Sequence, residues 1–241
     1  MLKNKIALIT GGSSGIGRAT ALLLAKNGAD IIITYKSNKE GAEAVVSQIR
    51  NLGQKGMMIQ ADLINEAEAE KVINTIVTEF GHLDILVNNA GRYIDGDEWN
   101  GSSEIWVKSL QQNLVSMMNI SKYAVTLFLK QKEGVMVNVA SRHGLNSWPD
   151  IISYSAAKAG VISLTQTYAK LLTPFGRANV VSPWAVNCGY WLTAAKEEIE
   201  ATLAESGCHK LIEPEIVAEK ILYLVSDQAK GINGQNFLIK E

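Results

Sequence analysis

Two tyrosines in the sequence stand four residues before a lysine, a spacing that permits proton-transfer chemistry when both residues lie on one helix. The pairs are Tyr35 with Lys39 and Tyr154 with Lys158. Residues i and i+4 of a helix share one face, so either pair could place an ammonium beside a phenol. The second pair opens a helical segment thirteen residues after Ser141, whereas the first lies in a turn after a strand. Spacing alone does not choose between them, because a solvated helix face explains most such pairs.

Proton transfer by a tyrosine near neutral pH requires help, because the free side chain has a pKa of about 10. The Lys158 ammonium is expected to lower the pKa of Tyr154 by stabilising the phenolate. Ser141 follows the apolar run from Val135 to Ala140, where its hydroxyl could hydrogen-bond the oxygen that receives the proton. The alternative for Ser141 is a hydroxyl that caps a turn at the end of a strand.

A glycine-rich turn follows the first apolar run and precedes the first helical segment. It reads Thr10-Gly11-Gly12-Ser13-Ser14-Gly15-Ile16-Gly17. Backbone N–H groups at a helix N-terminus can receive a pyrophosphate, and glycine is needed because a β-carbon would block that approach. Taken alone the motif is weak, since a purely structural turn can carry the same glycines.

The elements that must position these residues alternate between strands and helices. Seven apolar runs have the length of buried parallel strands: 6–9, 31–33, 57–59, 85–87, 135–139, 180–181 and 237–239. Helical periodicity covers residues 16–27, 40–52, 66–80, 105–132, 154–172 and 214–224. The alternation predicts an α/β fold, a Rossmann-like doubly wound seven-stranded parallel sheet with helices on both faces, in a single domain over residues 1–241. Residues 187–213 break the rhythm and are expected to form a lid over a substrate.

Composition and charge exclude several classes of protein. The 241 residues are 47% hydrophobic and 20% charged, which excludes a disordered or fibrous chain. A net charge of −1 gives no field to attract nucleic acid or membrane, so neither is expected as a partner. Two cysteines, Cys188 and Cys208, are too few for a disulfide framework or a zinc site, and no apolar run is long enough to span a bilayer. We therefore expect a cytoplasmic protein without a metal.

Further motifs follow the glycine turn in a fixed order. They are Asp62 after the third strand, Asn88-Asn89-Ala90-Gly91 after the fourth, Asn113, Ser141, and Tyr154-Ser155-Ala156-Ala157-Lys158. Together with the Thr-Gly-x-x-x-Gly-x-Gly turn they resemble the short-chain dehydrogenase/reductase family, from about residue 5 to residue 239. This resemblance favours the second tyrosine–lysine pair over the first.

The resemblance implies an oxidoreductase that reduces a carbonyl to an alcohol, or catalyses the reverse, with NADP(H). Its catalytic group would be Asn113, Ser141, Tyr154 and Lys158. Tyr154 would protonate the carbonyl oxygen while Ser141 aligns it, Lys158 would also hold the nicotinamide ribose, and Asn113 would anchor a water that relays protons. The alternative for Asn113 is an amide bonded to the helix backbone.

The same resemblance implies a binding site for the cofactor. Its residues would be Gly11, Ser13, Ser14, Gly15, Ile16, Gly17, Asp62, Leu63, Asn89, Ala90, Gly91, Tyr154, Lys158, Pro183, Trp184 and Val186, with Asp62 at the adenine and Asn88 to Gly91 at the sheet and the ribose. An acidic residue after the second strand would indicate NAD. Tyr35 stands there instead, and Lys36 with Ser37 could bind a 2′-phosphate. NADP is therefore the expected cofactor, with NAD as the alternative.

The sequence departs from the family pattern after the sixth strand. Trp184 stands where the family usually has glycine, and Cys188 replaces a hydroxyl donor with a weak one. These changes leave a second hypothesis open, a catalytically impaired nucleotide-binding or sensing protein that keeps the fold. The four catalytic residues argue against it.

Aromatic residues in the loops after the strands predict a substrate pocket. The candidates are Tyr93, His143, Trp148, Trp184 and Trp191, with Arg92 and Tyr190 beside them. An aromatic cluster used only for packing, and for His143 an ordinary loop histidine, are the alternatives. The substrate is expected to be a small or medium organic molecule, with a 3-oxoacyl reductase as one form, although Arg92 to Gly96 does not match those enzymes. The family also implies a homo-oligomer, a tetramer or a dimer.

Overall fold

The protein folds around one central sheet in a computed structural model that describes residues 1–240. The strands are β1 (Ile6–Ile9), β2 (Asp30–Tyr35), β3 (Gly56–Gln60), β4 (Ile85–Asn88), β5 (Gly134–Val139), β6 (Gly176–Pro183) and β7 (Asn236–Ile239). The helices are α1 (Gly15–Lys26), α2 (Lys39–Asn51), α3 (Glu66–Phe80), α4 (Ser103–Leu110), α5 (Ser116–Gln131), α6 (Ile152–Leu172), α7 (Lys196–Ser206) and α8 (Pro214–Val225). The predicted α/β class and the seven strands are confirmed.

The sheet is parallel throughout, with the strand order β3-β2-β1-β4-β5-β6-β7. The order reverses at the β1/β4 pair, and doubly wound sheets bind ligands in the crevice beyond the carboxyl ends of such strands. The glycine turn after β1 and the Asn-Ala-Gly turn after β4 therefore meet at this crevice.

The core has two layers because the central strands bury both of their faces. In β1, Ala7 and Ile9 pack with α1, α2 and α8, whereas Ile6 and Leu8 pack with α3 and α5. Burial of an isoleucine or leucine side chain contributes about 1.5 to 3 kcal/mol, so this alternation fixes the strand register. The sheet consequently holds its carboxyl-end loops on a rigid base.

The structure differs from the predicted elements mainly in the later half of the chain. The predicted helix 105–132 is α4 and α5, joined by the π-helical segment Gln111–Val115. The predicted lid 187–213 contains the 3-10 helix Gly189–Leu192 and α7. Its two ends are fastened by hydrogen bonds from Asn187 N to Ile212 O and from Ile212 N to Ala185 O.

The described residues also bear on the expectations about membrane spans, metal sites and cysteines. No helix within residues 1–240 has the length and apolar character needed to cross a membrane. In the same range, no group of three or more His, Cys, Asp or Glu side chains is arranged to bind a metal ion. Cys188 and Cys208 are both free thiols.

Candidate active site

Tyr154 and Lys158 lie one turn apart near the start of α6. The Lys158 side chain is buried, and its Nζ donates to Val139 O at 2.9 Å. The same Nζ lies 5.5 Å from the centroid of the Tyr154 ring. The other pair is divided between two elements, since Tyr35 ends β2 and Lys39 begins α2. Only the second pair therefore shares a helix.

Ser141 follows β5 and precedes the 3-10 turn Arg142–Gly144. Its Oγ accepts a hydrogen bond from His143 N at 3.2 Å, so Ser141 does cap a turn. Its hydroxyl also hydrogen-bonds the side chain of Tyr154. The two alternatives for Ser141 are thus compatible, because a turn cap fixes the hydroxyl beside the phenol.

The pKa values correct one expectation. Burial raises the pKa of Tyr154 to about 12, although the hydrogen bond with Ser141 acts in the opposite direction. Burial also lowers the pKa of Lys158 to about 8. The expectation that Lys158 lowers the pKa of Tyr154 is wrong for the protein alone, because burial raises that pKa and Lys158 is not among the groups that lower it.

Asn113 lies in the π-helical segment, and its amide contacts the loop that follows β4. Its Nδ2 donates to Arg92 O at 2.9 Å and to Ser109 O at 3.0 Å. Its Oδ1 is buried and has no hydrogen-bond donor among residues 1–240. A β-carbon at Gly91 would lie 2.6 Å from this oxygen and 3.6 Å from Lys158 Nζ. The amide is therefore bonded to backbone, as the alternative predicts, and also presents a free acceptor.

Close packing or a left-handed backbone requires four glycines of the glycine turn. A β-carbon at Gly12 would collide with the Ile33 side chain, and one at Gly17 with the Gly11 carbonyl oxygen. Gly11 and Gly15 have positive φ angles of 64° and 51°. The N-cap residue Ser14 makes no side-chain cap bond, and the first turn of α1 contains no acidic residue. The backbone N–H groups at the positive N-terminal end of α1 therefore have few hydrogen-bond acceptors within the protein, and they face the crevice.

The neighbouring turn braces this motif. Asn89 Nδ2 donates to Thr10 O at 3.0 Å and Gly11 O at 3.1 Å. The N–H groups of Asn89 and Ala90 both donate to Thr10 Oγ1 at 3.0 Å. Asn88 instead points into the sheet, where its Nδ2 donates to Ser121 Oγ and Asn138 Oδ1. These hydrogen bonds thus join the turn after β1 and the turn after β4, which hold predicted cofactor residues, into one rigid unit.

The segment after β6 brings Cys188, not Trp184, to the glycine turn. A β-carbon at Gly15 would lie 3.1 Å from Cys188 Sγ, and the thiol accepts a hydrogen bond from Ile16 N. The Trp184 indole contacts Arg142 and Lys240, with centroid distances of 4.1 Å and 4.9 Å. Two cations thus contact the indole ring, and the expected roles of Trp184 in binding cofactor and substrate stay predictions.

The predicted adenosine end of the site lies beyond β2 and β3. Lys36 Nζ and Asp62 Oδ2 form an exposed ion pair at 2.7 Å. Tyr35 is buried in the core, so its side chain faces away from solvent. Ser37 is exposed, and Leu63 is buried with its carbonyl accepting from Asn119 Nδ2 at 3.0 Å.

Apart from Trp184, the predicted substrate residues divide into two groups. Tyr190 makes edge-to-face contacts with Tyr93 and Trp191, each with centroids 5.4 Å apart. The His143 ring lies 6.4 Å from that of Tyr154, and burial lowers its pKa to about 4, so the imidazole is neutral near pH 7. His143 and Trp148 line a cavity of about 730 Å³ that Tyr154 does not line. The structure therefore does not gather all five predicted substrate residues into one pocket.

Asp97 is a residue near the site that sequence reasoning missed. Its carboxylate is fully buried and accepts from Ser153 N at 3.0 Å and Tyr154 N at 2.7 Å, as well as from the Ser153 hydroxyl. The N-cap residue of α6, Ile151, has no capping side chain, so Asp97 supplies the acceptors from a distant loop. A separation of 57 residues from Tyr154 leaves no local signal in the sequence.

The sequence is similar to a family of oxidoreductases. A family model described as short chain dehydrogenase matches residues 5–204. A 3-oxoacyl-[acyl-carrier-protein] reductase of Synechocystis sp. is 37% identical, over 98% of this chain and 95% of its own. Proteins of the same description from Staphylococcus aureus and Thermotoga maritima are 35% and 34% identical, over 98% and 97% of this chain and 96% and 95% of theirs.

The fold is similar to that of solved dehydrogenases. An NAD+-bound xylitol dehydrogenase superposes with a TM-score of 0.91 at 24% identity, covering 99% of this chain and 98% of that one. A carveol dehydrogenase from Mycobacterium avium in complex with NAD gives a TM-score of 0.92 at 24% identity, with 99% and 96% coverage. At this identity the likeness concerns the fold alone.

Proposed function

The chain belongs to the short-chain dehydrogenase family and is an oxidoreductase that interconverts an alcohol and a carbonyl with a nicotinamide cofactor, and we propose that Tyr154 is its proton donor. One observation carries this proposal. The Asn-Ala-Gly turn, the π-helical segment and α6 meet at a single point, where the Gly91 backbone is adjacent to Asn113 Oδ1 and Lys158 Nζ. Three elements distant in sequence thus meet beside Lys158, whose Nζ lies 5.5 Å from the centroid of the Tyr154 ring.

The residues of the crevice fit a dinucleotide. The glycine turn and the N-terminus of α1 would hold the pyrophosphate, and the buried Lys158 amine, with one bond to Val139 O, would hold the nicotinamide ribose. The thiol of Cys188 adds a weak donor at the glycine turn. When bound, the cofactor supplies or accepts the hydride.

The side chains of the site carry out the proton chemistry. Tyr154, with its pKa near 12, keeps its proton at neutral pH and gives it to the carbonyl oxygen as the alcohol forms. Ser141 hydrogen-bonds the same oxygen and holds it in line with the phenol. Protonated Lys158 stabilises the phenolate that results, and Asn113 Oδ1 accepts from a water that returns a proton.

NADP(H) is the preferred cofactor, with NAD as the alternative. Lys36 is the cation beyond β2, and its exposed ammonium can bind a 2′-phosphate through a charge-assisted hydrogen bond. Asp62 holds this ammonium at the edge of the crevice in the absence of that phosphate. No carboxylate ends β2, where a ribose 2′-hydroxyl would be bound.

The substrate class we propose is a 3-oxoacyl thioester. Its support is the description of the relatives, which are 34% to 37% identical along nearly the full chain. The impaired nucleotide-binding alternative has no support from these relatives. We further propose a cytoplasmic homo-oligomer in which residues 187–213 cover the substrate.

Oxidation of NADPH and of NADH, followed by absorbance, tests this function. The probes are the acetoacetyl thioester of N-acetylcysteamine and, for comparison, cyclohexanone and a keto acid. We expect turnover of the thioester that is faster with NADPH. Turnover of only the simple ketones would reject the substrate class, and no turnover of any carbonyl, despite NADPH binding, would reject the activity.

A further inference from the structure

Trp184 stands where the family has glycine, and its side chain takes part in a group of contacts that the proposed reaction does not use. Its indole packs against the Arg142 guanidinium, with Cζ 4.1 Å from the ring centroid, and lies 4.9 Å from Lys240 Nζ. Cation–π contacts strengthen when the cation is withdrawn from water. We call Arg142, Trp184, Glu205 and Lys240 the Arg142 cluster.

Arg142 is the centre of this cluster. It is only 7% exposed, and its guanidinium reaches both oxygens of the Glu205 carboxylate, at 2.7 Å and 3.4 Å. A planar guanidinium can stack on an indole and bind a carboxylate with its edge at the same time, which a lysine cannot do. Loss of the carboxylate would leave a buried cation without its anion.

The cluster joins four segments of the chain, one of which adjoins Ser141. Arg142 directly follows Ser141, and Trp184 directly follows β6. Glu205 lies in the last turn of α7, and Lys240 Nζ donates to the neighbouring Ser206 O at 3.5 Å. The end of α7 is therefore fastened to the Ser141 turn, whereas most of that helix is exposed.

We propose that Arg142 is a positioning residue, which through Trp184 and Glu205 fixes α7 of residues 187–213 to the Ser141 turn and so holds the substrate against Ser141. The inference rests on the proposed function for its substrate. The proposal also explains the bulky Trp184, because its ring is the surface on which the Arg142 guanidinium stacks. Because Glu205 lies in the segment proposed to cover the substrate, loss of the cluster changes the substrate KM more than cofactor affinity.

Steady-state kinetics of four variants test this assignment with the acetoacetyl thioester. Glu205→Gln is expected to raise KM about tenfold, and Arg142→Met at least as much, while the Kd for NADPH changes less than about twofold. Both substitutions break the same ion pair, so the KM of the double variant should be no higher than that of Arg142→Met. Glu200→Gln is the control, because Glu200 pairs only with exposed Lys196 on the same helix, at 3.6 Å. Multiplicative effects of the two substitutions would overturn the proposal.

Limited trypsin digestion gives a second measurement that needs no turnover. Residues 187–213 contain the exposed Lys196 and Lys210, and release of the end of α7 should loosen the backbone beside them enough for trypsin to cut it. We expect Glu205→Gln to be cut in this segment several-fold faster than the wild type and Glu200→Gln. Equal rates in the two variants would overturn the proposal. A wild type without turnover would reject the proposed function, while faster cutting of Glu205→Gln would still support the attachment of α7.

Discussion

Lys158 is the candidate catalytic residue whose protonation changes closest to neutral pH. Burial lowers its pKa to about 8, whereas burial raises the pKa of Tyr154 to about 12. As pH rises through 8, the lysine therefore loses its proton while the tyrosine keeps its own. The neutral amine no longer stabilises a phenolate, so proton donation by Tyr154 becomes harder.

Carbonyl reduction is accordingly expected to be fastest below pH 8 and to decline as pH rises through about 8. The measurement is kcat/KM for reduction against pH, which reports groups of the free enzyme. Lys158→Met should be slow throughout and should lack this decline. A wild-type profile that stays constant between about pH 6 and about pH 10 would contradict the role given to Lys158.

We propose that cofactor preference depends on Lys36. Its exposed ion pair with Asp62 contributes little to stability, so the ammonium is available to a 2′-phosphate. Loss of one hydrogen bond to a charged group costs about 1.5 kcal/mol, or about tenfold in affinity. Lys36→Met should therefore raise the Kd for NADPH about tenfold and leave that for NADH unchanged.

Titration of Trp emission measures the Kd of both cofactors. Lys39→Met is the control, because Lys39 pairs with Glu43 on the surface of α2. An equal loss for both cofactors would show that Lys36 does not bind the phosphate.

Helix α6 depends on a cap from outside itself. Asp97 accepts from the N–H groups of Ser153 and Tyr154, so the carboxylate fixes the turn that carries the tyrosine proposed as proton donor. Without it the first turn of α6 would have unsatisfied donors in a buried place. The loop after β4 thereby sets the position of the helix that begins after the Ser141 turn.

Asp97→Asn is expected to lower the free energy of unfolding by about 2 kcal/mol, because an amide –NH₂ would face a buried N–H donor. Urea denaturation of the variant measures this loss. Asp95→Asn is the matched control, since Asp95 is exposed in the same loop. Equal stability of the two variants would show that the cap is dispensable.

The helices and strands were largely predictable, since strands buried on both faces give continuous apolar runs and surface helices give periodic ones. Their bounds shifted by a few residues, as for β6, where the apolar run 180–181 became Gly176–Pro183. The π-helical segment at Asn113 was not predictable, because its residues have ordinary helical periodicity. The order of motifs identified the glycine turn, Ser141, Tyr154 and Lys158, whereas Asp97 and the partners of Trp184 depend on tertiary contacts that leave no local pattern.

At the level of the whole chain, the fold followed from the alternation of elements, but its assembly is a proposal. Val115, Met118 and Leu129 are each 37% to 40% exposed, and their spacing puts them on one face of α5 and the segment before it. Exposed apolar faces of this kind often bind a second subunit. The family resemblance points to a tetramer or a dimer.

Light scattering at micromolar concentration should give a mass that is a multiple of 26.2 kDa. Replacing Met118 and Leu129 by lysine should shift the mass toward one subunit, because two charges in an apolar contact cost several kcal/mol. Lys122 lies on the same helix and is already charged, so Lys122→Arg serves as the control. A monomeric wild type would contradict the proposed oligomer.

The role of Tyr154 is tested most directly by a single turnover of bound NADPH with the acetoacetyl thioester in Tyr154→Phe. General acid catalysis contributes about 10²- to 10⁴-fold, so the variant saturated with NADPH should be slower by at least about 100-fold. Tyr168→Phe, on the same helix, should match the wild type. Reduction by Tyr154→Phe at the wild-type rate would contradict the mechanism.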